Sequence, residues 1–148
     1  MDIVVIVRHA HRDTLDKDLD NGLSSKGQHQ AEELVEQYRV GELPPGDIFL
    51  SSPKKRCQET LQPLAEEAEQ TLKIEKLLDE QLSEESQRDL EKRVEKFLKA
   101  GLKPDKTTYI CSHGDWIPIA IKLLTGEAGD LQKGHAAVFT KKGKNWID

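Results

Sequence analysis

Cysteines, long apolar runs and a surplus of positive charge are scarce or missing in this 148-residue sequence. The two cysteines, Cys57 and Cys111, belong to no C-x-x-C pair, which argues against a disulfide-rich scaffold and favours reduced cytoplasmic thiols. No run is apolar enough for a membrane span, and the MDIVV start is not typical of a signal peptide. We therefore expect a cytoplasmic protein that does not enter membranes, and the length fits one domain over residues 1–148.

Basic residues are outnumbered by acidic ones. The sequence has 22 lysines and arginines against 27 aspartates and glutamates, a formal net charge of −5, and 5% aromatic residues. Because proteins bind nucleic acids mainly by neutralising phosphates with lysine and arginine, this balance argues against a nucleic-acid partner. Any recognition of phosphate must therefore be confined to a local group of basic residues.

The first such group follows an apolar run at residues 3–7. These five residues are all β-branched, which is typical of a short strand that is buried on both faces. The strand is followed within five positions by Arg8, His9, His11 and Arg12. Ligands of open parallel sheets bind at the carboxyl ends of the strands, so this segment predicts an anion site.

The spacing of apolar residues predicts that strands and helices alternate along the rest of the chain. Apolar residues three and four apart predict helices at 28–40, 54–70, 88–102 and 116–126. Runs of β-forming residues predict strands at 47–50, within 72–78, at 107–111 and at 134–140. A turn and a tail are expected from residue 141. The alternation predicts an α/β fold, a three-layer sandwich with a mostly parallel sheet and helices on both faces.

Two more basic side chains are predicted at the edge where the first strand ends. Ser52 is expected to cap the second helix with Pro53 at its first position, which places Arg56 in the first helical turn. Free backbone N–H groups at a helix start also favour an anion. His113 follows the strand predicted at 107–111 after one serine. The carboxyl ends of the strands are therefore expected to collect arginines and histidines.

Four segments carry a resemblance to a known family: VRHAHRDT, LSSKGQHQA, SSPKKRCQET and CSHGDW. In this order they resemble the motifs of the histidine phosphatase superfamily, which also contains the cofactor-dependent phosphoglycerate mutases. The resemblance extends over residues 3–124. It implies a phosphoric monoester hydrolase that needs no metal or other cofactor. It also implies that His9 attacks phosphorus and becomes a phosphohistidine, which water then hydrolyses.

The same resemblance implies roles for the neighbouring residues. Arg8 and Arg56 match the arginines that hold the phosphoryl group, and a planar guanidinium suits two oxygens at once. His113 matches the second histidine of the family, which is expected to donate a hydrogen bond to the same group. The charge that spreads over the transferred phosphoryl oxygens requires such preorganised partners.

The proton donor for the leaving oxygen is left open. Many members of the family carry a glutamate two residues after a leucine at this point of the chain, and LDEQL matches that pattern at Glu80. Asp79, Glu84 and Glu85 are rivals for the role, and some short members lack a dedicated acid. Glu80 is the first choice among these carboxyl groups.

Three positions after His9 depart from the pattern of the family. Ala10 stands where glycine is usual, and His11 and Arg12 stand where Glu or Gln and then Thr or Ala are common. Arg12 offers a third cation to a substrate with a second anionic group, and His11 beside it is a second candidate for binding that substrate. Asn21 is predicted to face the pocket from the following loop. The candidate substrate-binding residues are therefore His11, Arg12 and Asn21.

Chain length separates the possible reactions of the family. Residues 79–89 are too few for the lid of the mutases, which favours a phosphatase over a phosphoglycerate mutase-like phosphotransferase. The short chain resembles the small phosphohistidine phosphatases. The expected substrate is a phosphorylated small molecule or a phosphoprotein, and the oligomeric state is left open.

Two functions of other classes compete with this interpretation. A zinc hydrolase would use His9, His11, His113 and Asp115 as ligands, although the neighbouring arginines would repel a cation. A non-catalytic phosphate- or phosphoprotein-binding module would keep the anion pocket without turnover. Phosphatase activity in the presence of a chelator distinguishes the three functions.

Overall fold

Helices and strands alternate along the chain in a computed structural model that describes residues 2–14, 16, 19–142 and 145–147. The strands are β1 (Ile3–Arg8), β2 (Ile48–Ser51), β3 (Leu72–Ile74), β4 (Thr107–Ser112), β5 (Ala136–Lys142) and β6 (Asn145–Ile147). The helices are α1 (Ser25–Arg39), α2 (Lys55–Glu67), α3 (Gln87–Ala100) and α4 (Ile117–Thr125), with a 3₁₀ turn at Lys76–Leu78. Among these described helices, none has the length and hydropathy needed to cross a membrane.

The strands form one sheet in the order β3-β2-β4-β1-β5-β6, and β1 is buried on both of its faces. Successive side chains of a strand point to opposite faces. Val4 and Ile6 accordingly pack in the core beneath α3 and α4, whereas Val5 and Val7 pack beneath α1 and α2. The predicted three-layer α/β architecture is confirmed.

The parallel strands β1, β2 and β4 end at the same level of the sheet. Arg8 pairs with Ser112 across β1 and β4, and Ser51 pairs with Cys111 across β2 and β4. The residues that follow these three strands therefore emerge side by side at one edge. They are His9, Ser52 and His113.

The last two strands reverse the direction of the sheet. β5 runs antiparallel to β1, and β6 runs antiparallel to β5. The prediction of a tail from residue 141 is wrong here, because β5 extends to Lys142 and residues 145–147 form an edge strand whose Trp146 packs against the core beneath α4. A strand of three residues is too short for period-two alternation to show in the sequence.

The predicted start of α2 is also wrong by two residues. The helix begins at Lys55 with Lys54 as its N-cap residue, whose own side chain makes no capping hydrogen bond, and the N–H of Lys55 donates to the Asp20 carboxylate at 3.0 Å. The Ser52 hydroxyl lies 2.8 Å from Nε2 of His113, and it also accepts from the backbone N–H of Lys54 at 3.3 Å. Arg56 nevertheless occupies the first turn of the helix, as predicted.

Gly27 lets α1 pack directly against the chain that follows β1. A Cβ atom at this position would lie 2.0 Å from the carbonyl oxygen of His11, which is backbone and cannot rotate away. We expect Gly27→Ala to lower the free energy of unfolding by about 2 kcal/mol or more, as overpacking in a tight contact does. Urea unfolding monitored by circular dichroism measures the loss. Gln28→Ala, at the next and exposed position of α1, is the control. Equal stability of Gly27→Ala and Gln28→Ala would show that the contact is unimportant.

Candidate active site

His9 is held at the edge of the sheet with one ring nitrogen engaged. Its backbone N–H donates to Ser112 O at 3.1 Å, and its Nδ1 lies 2.9 Å from the carbonyl oxygen of Ala10. Because a carbonyl oxygen can only accept, Nδ1 carries the proton of the neutral ring, and Nε2 keeps its lone pair. His9 therefore has the tautomer that a nucleophilic Nε2 requires.

The surroundings of His9 keep its ring neutral. Its residue surface is 6% exposed, and this burial lowers the pKa of His9 from 6.5 to about 4. The Ala10 carbonyl opposes the shift, while the positive charges of Arg56 and Arg8 add to it. At pH 7 the lone pair of Nε2 is therefore almost entirely available.

His113 faces His9 across the edge. The two ring centroids are 5.3 Å apart, and the rings are tilted by 55°. Nδ1 of His113 accepts from Nη2 of Arg56 at 3.3 Å, so the neutral ring carries its proton on Nε2, which donates to the Ser52 hydroxyl. Burial, followed by the charge of Arg56, lowers the pKa of His113 to about 2. Its contacts near 4 Å with carboxylates are therefore not ion pairs at neutral pH.

Arg56 links His113 to a carboxylate. Its Nη2 donates to Oε2 of Glu80 at 2.6 Å, and the arginine itself is 4% exposed. The buried Nε–H groups of Arg8 and Arg56 have no hydrogen-bond acceptor among the described residues. Buried donors are rarely left unpaired in proteins, so two of them at one edge fit a site that takes an oxyanion.

The Arg8 guanidinium group extends from the end of β1 to the same edge of the sheet as Arg56. Its Nη1 donates to Leu131 O at 2.9 Å, and a Cβ atom on Gly114 would lie 2.6 Å from its Nη2. The guanidinium thus lies against the turn that follows His113. A side chain in place of Gly114 would therefore displace the guanidinium group of Arg8.

A sequence profile identifies the family of this chain. The sequence profile of the histidine phosphatase superfamily (branch 1) matches residues 4–84, more than half of the chain. The chain belongs to the histidine phosphatase superfamily. This membership supports a phosphatase enzyme, the class that the motifs predicted. A search of curated protein sequences found no significant match.

Solved structures of phosphatases share the fold. A protein from Escherichia coli assigned as an α-ribazole-5′-P phosphatase has a TM-score of 0.81 at 15% identity, over 99% of this chain and 94% of that one. A phosphoserine phosphatase from Entamoeba histolytica, solved with phosphoserine, has a TM-score of 0.79 at 18% identity, over 99% of this chain and 94% of that one. A mycobacterial glucosyl-3-phosphoglycerate phosphatase has a TM-score of 0.78 at 18% identity, over 99% of this chain and 96% of that one. At these identities the likeness concerns the fold.

In this histidine phosphatase fold, Thr60 has a positioning role that the sequence analysis missed. Its hydroxyl accepts from the N–H of Ala10 at 2.9 Å and donates to Arg56 O at 2.6 Å. The hydroxyl thereby ties the turn after His9 to the first turn of α2. Thr60 lies four residues after Arg56 on one helix face, and this spacing was the available signal.

The four candidate acids are placed differently. Glu80 contacts Arg56 and lies 3.9 Å from Nδ1 of His113. Asp79 pairs with Lys54 and lies 4.0 Å from the opposite nitrogen of His113, which the Ser52 hydroxyl already engages. The structure therefore brings Glu80 to the side of His113 that faces Arg56.

The other two carboxylates contact different partners. Glu85 pairs with Arg93 of α3 at 2.7 Å, and Glu84 is exposed and accepts from the Ser83 hydroxyl. Neither has a hydrogen bond to the histidine pair among the described residues. Geometry thus favours Glu80 over these two rivals.

The candidate substrate-binding residues lie on the chain that leaves the site. Nδ1 of His11 lies 2.7 Å from the Ser24 hydroxyl, and the Asn21 amide donates to the carbonyl oxygens of Asp13 and Asp16. Arg12 is half-buried and forms an isolated backbone bridge with Leu23. These contacts shape the loop, and the three roles in substrate binding stay predictions.

The alternative zinc site is not assembled. Asp115 accepts from the backbone N–H of Gln81, and His11 is engaged by Ser24. In the part of the chain that the structure describes, no group of three or more His, Cys, Asp or Glu side chains is arranged to hold a metal ion.

Proposed function

We propose that this protein is a phosphatase that hydrolyses a phosphomonoester or phosphoramidate through a phosphohistidine on His9. The observation that carries the proposal is the neutral His9 ring, whose Nε2 has no hydrogen-bond partner among the described residues, opposite His113 and beside Arg56. The proposed catalytic residues are His9, Arg8, Arg56, His113 and Glu80. None of the steps below requires a metal ion.

In the first step, Nε2 of His9 attacks phosphorus and the bond from phosphorus to the leaving oxygen breaks. Arg8 and Arg56 hold the equatorial oxygens, and their unpaired Nε–H groups are the donors available for this. Glu80 gives its proton to the leaving oxygen. The hydrogen bond from Arg56 holds the Glu80 carboxyl group beside the phosphoryl site.

His113 completes the binding of the phosphoryl group. Its Nδ1 lies beside Arg56 and Glu80, and once the phosphoryl group replaces the hydrogen bond from Arg56, a protonated Nδ1 would donate to a phosphoryl oxygen. The charge of the bound anion favours that protonation. The Ser52 hydroxyl keeps the other nitrogen in place.

In the second step, water attacks the phosphohistidine. Glu80, now a carboxylate, takes a proton from the water, and the bond from His9 to phosphorus breaks. Inorganic phosphate leaves, and His9 returns to its neutral form. Two displacements of this kind replace one difficult hydrolysis.

Phosphorylated small molecules are the substrate class that the comparisons favour. The structural relatives are named for glucosyl-3-phosphoglycerate and phosphoserine. Only eight residues, 79–86, separate the 3₁₀ turn from α3, and they leave little length for a lid over the site. Without a lid from this segment, water reaches the phosphohistidine more easily, which favours hydrolysis over phosphotransfer, and a phosphoprotein substrate is also possible.

Trapping the intermediate tests the proposal. The protein is mixed with radiolabelled phosphoserine, phosphoglycerate and a phosphohistidine protein in the presence of EDTA, then quenched in base. We expect label on His9 that is stable in base and released in acid. Binding without turnover would favour the binding module, and activity lost to EDTA and restored by zinc would favour a metal hydrolase.

The pH dependence of His9 provides a direct check of its protonation state. Since burial holds its pKa near 4, the reactive neutral form persists as pH falls from 7 to 5 and disappears below 4. In an NMR titration we expect the His9 ring signals to shift with a midpoint near pH 4. A midpoint near 6.5, the value of an unperturbed histidine, would contradict the burial argument.

A further inference from the structure

All five N–H donors of Arg93 converge on the segment that carries Glu80. Nη1 donates to Leu77 O at 2.9 Å and to Asp79 O at 2.7 Å, and Nη2 donates to Glu80 O at 2.9 Å. Nε and Nη2 also bind the two carboxylate oxygens of Glu85, at 2.9 and 2.7 Å. An arginine with every donor satisfied in a fixed fork is a rigid connector.

This connector is protected from water. The side chains of Arg93 and Glu85 are each 12% exposed, whereas most ion pairs of the protein surface are far more open. The same segment is held from its other side, where the Ser112 hydroxyl donates to Leu78 O and the Trp116 indole donates to Leu77 O. Residues 77–80 comprise the end of the 3₁₀ turn and the two residues after it, and their carbonyl groups are bound by side chains of α3, β4 and the start of α4.

We propose that Arg93, held by Glu85, is the positioning residue for the general acid Glu80. The inference rests on the proposed function, in which Glu80 protonates the leaving oxygen. Arg93 binds the carbonyl groups of Asp79 and Glu80 themselves, so its loss would let the Glu80 carboxyl move away from Arg56. Arg93 touches neither His9 nor His113 by hydrogen bonds among the described residues. Its positive charge contributes to the lowered pKa of His113, and Arg93→Lys keeps that charge while removing the fork that holds the acid.

A merely structural arginine and an acid-positioning arginine differ in one measurable respect. A proton donor matters for an alkyl phosphate, whose alkoxide is a poor leaving group, and matters little for p-nitrophenyl phosphate, whose phenolate leaves as an anion. We therefore expect Arg93→Lys and Glu85→Gln to lower kcat/KM for alkyl phosphates at least tenfold more than for p-nitrophenyl phosphate. Arg88→Lys, at an exposed position of α3, is the matched control and is expected to leave both rates unchanged.

A double-mutant cycle with Glu80→Gln completes the test. If Arg93 acts through Glu80, Arg93→Lys should cause no further selective loss for alkyl phosphates in the Glu80→Gln background. An equal loss for all leaving groups, or an undiminished selective loss in that background, would overturn the role of Arg93. Should Arg93→Lys fail to fold, Glu85→Gln, which keeps the shape of the side chain, gives the same comparison. Absence of hydrolysis by the wild type would instead overturn the proposed function.

Discussion

Replacement of His9 by asparagine is expected to lower kcat/KM by at least about four orders of magnitude for every phosphorylated substrate. Asparagine keeps a polar side chain of similar reach but has no nucleophilic nitrogen, so the covalent step is lost. Arg8, Arg56 and His113 remain, and binding of inorganic phosphate should therefore persist. Steady-state kinetics, together with phosphate binding measured by calorimetry, separates the two effects.

The control for this substitution is His29→Asn. The His29 side chain lies on α1 and is 82% exposed, so this variant loses the same kind of ring at a solvated position. We expect it to keep the wild-type rate. If His9→Asn retains more than a small fraction of the wild-type activity, phosphorus is attacked by another group.

Replacement of Arg56 by lysine is expected to lower kcat/KM by about 10²–10³-fold, the usual effect of removing one preorganised donor from an oxyanion site. Lysine keeps the charge, but a single ammonium group cannot contact Glu80, His113 and a phosphoryl oxygen together as the guanidinium does. The loss should appear mainly in kcat, because the donors matter most in the transition state. Single-turnover phosphorylation of His9 measures it.

Arg39→Lys is the matched control for Arg56→Lys. Arg39 pairs with Glu67 on the surface at 2.9 Å and its side chain is 56% exposed, so its loss should change neither kcat nor stability appreciably. Wild-type kinetics for Arg56→Lys would show that charge alone, without the planar fork, is sufficient at this position.

The sheet and the approximate site could be predicted because their signals are local. Five β-branched residues in a row specify a strand with two buried faces, and the residues after it must emerge at its carboxyl end. The motifs around Arg56 and His113 follow strands of the same direction, so they were expected at one edge. The structure places them there, while their catalytic roles remain proposals.

Other features could not be predicted, because they depend on partners that are distant in the chain. The Ser52 hydroxyl was expected to act only at the start of α2, yet its shorter hydrogen bond is with His113, which lies 61 positions away. Nothing near Arg93 in the sequence indicates that it holds carbonyl groups 13 to 16 residues earlier. Local patterns carry no information on such contacts.

The amino-acid sequence by itself determined the alternation of helices and strands, the burial of β1, and the placement of arginines and histidines at one edge of the sheet. These follow from hydrophobic periodicity and from the direction of parallel strands. The tertiary structure decided which nitrogen of His9 is free, why both histidines are neutral, and which carboxyl group lies beside Arg56. Each of these depends on burial and on hydrogen bonds between separate elements, which exist only when the chain is folded.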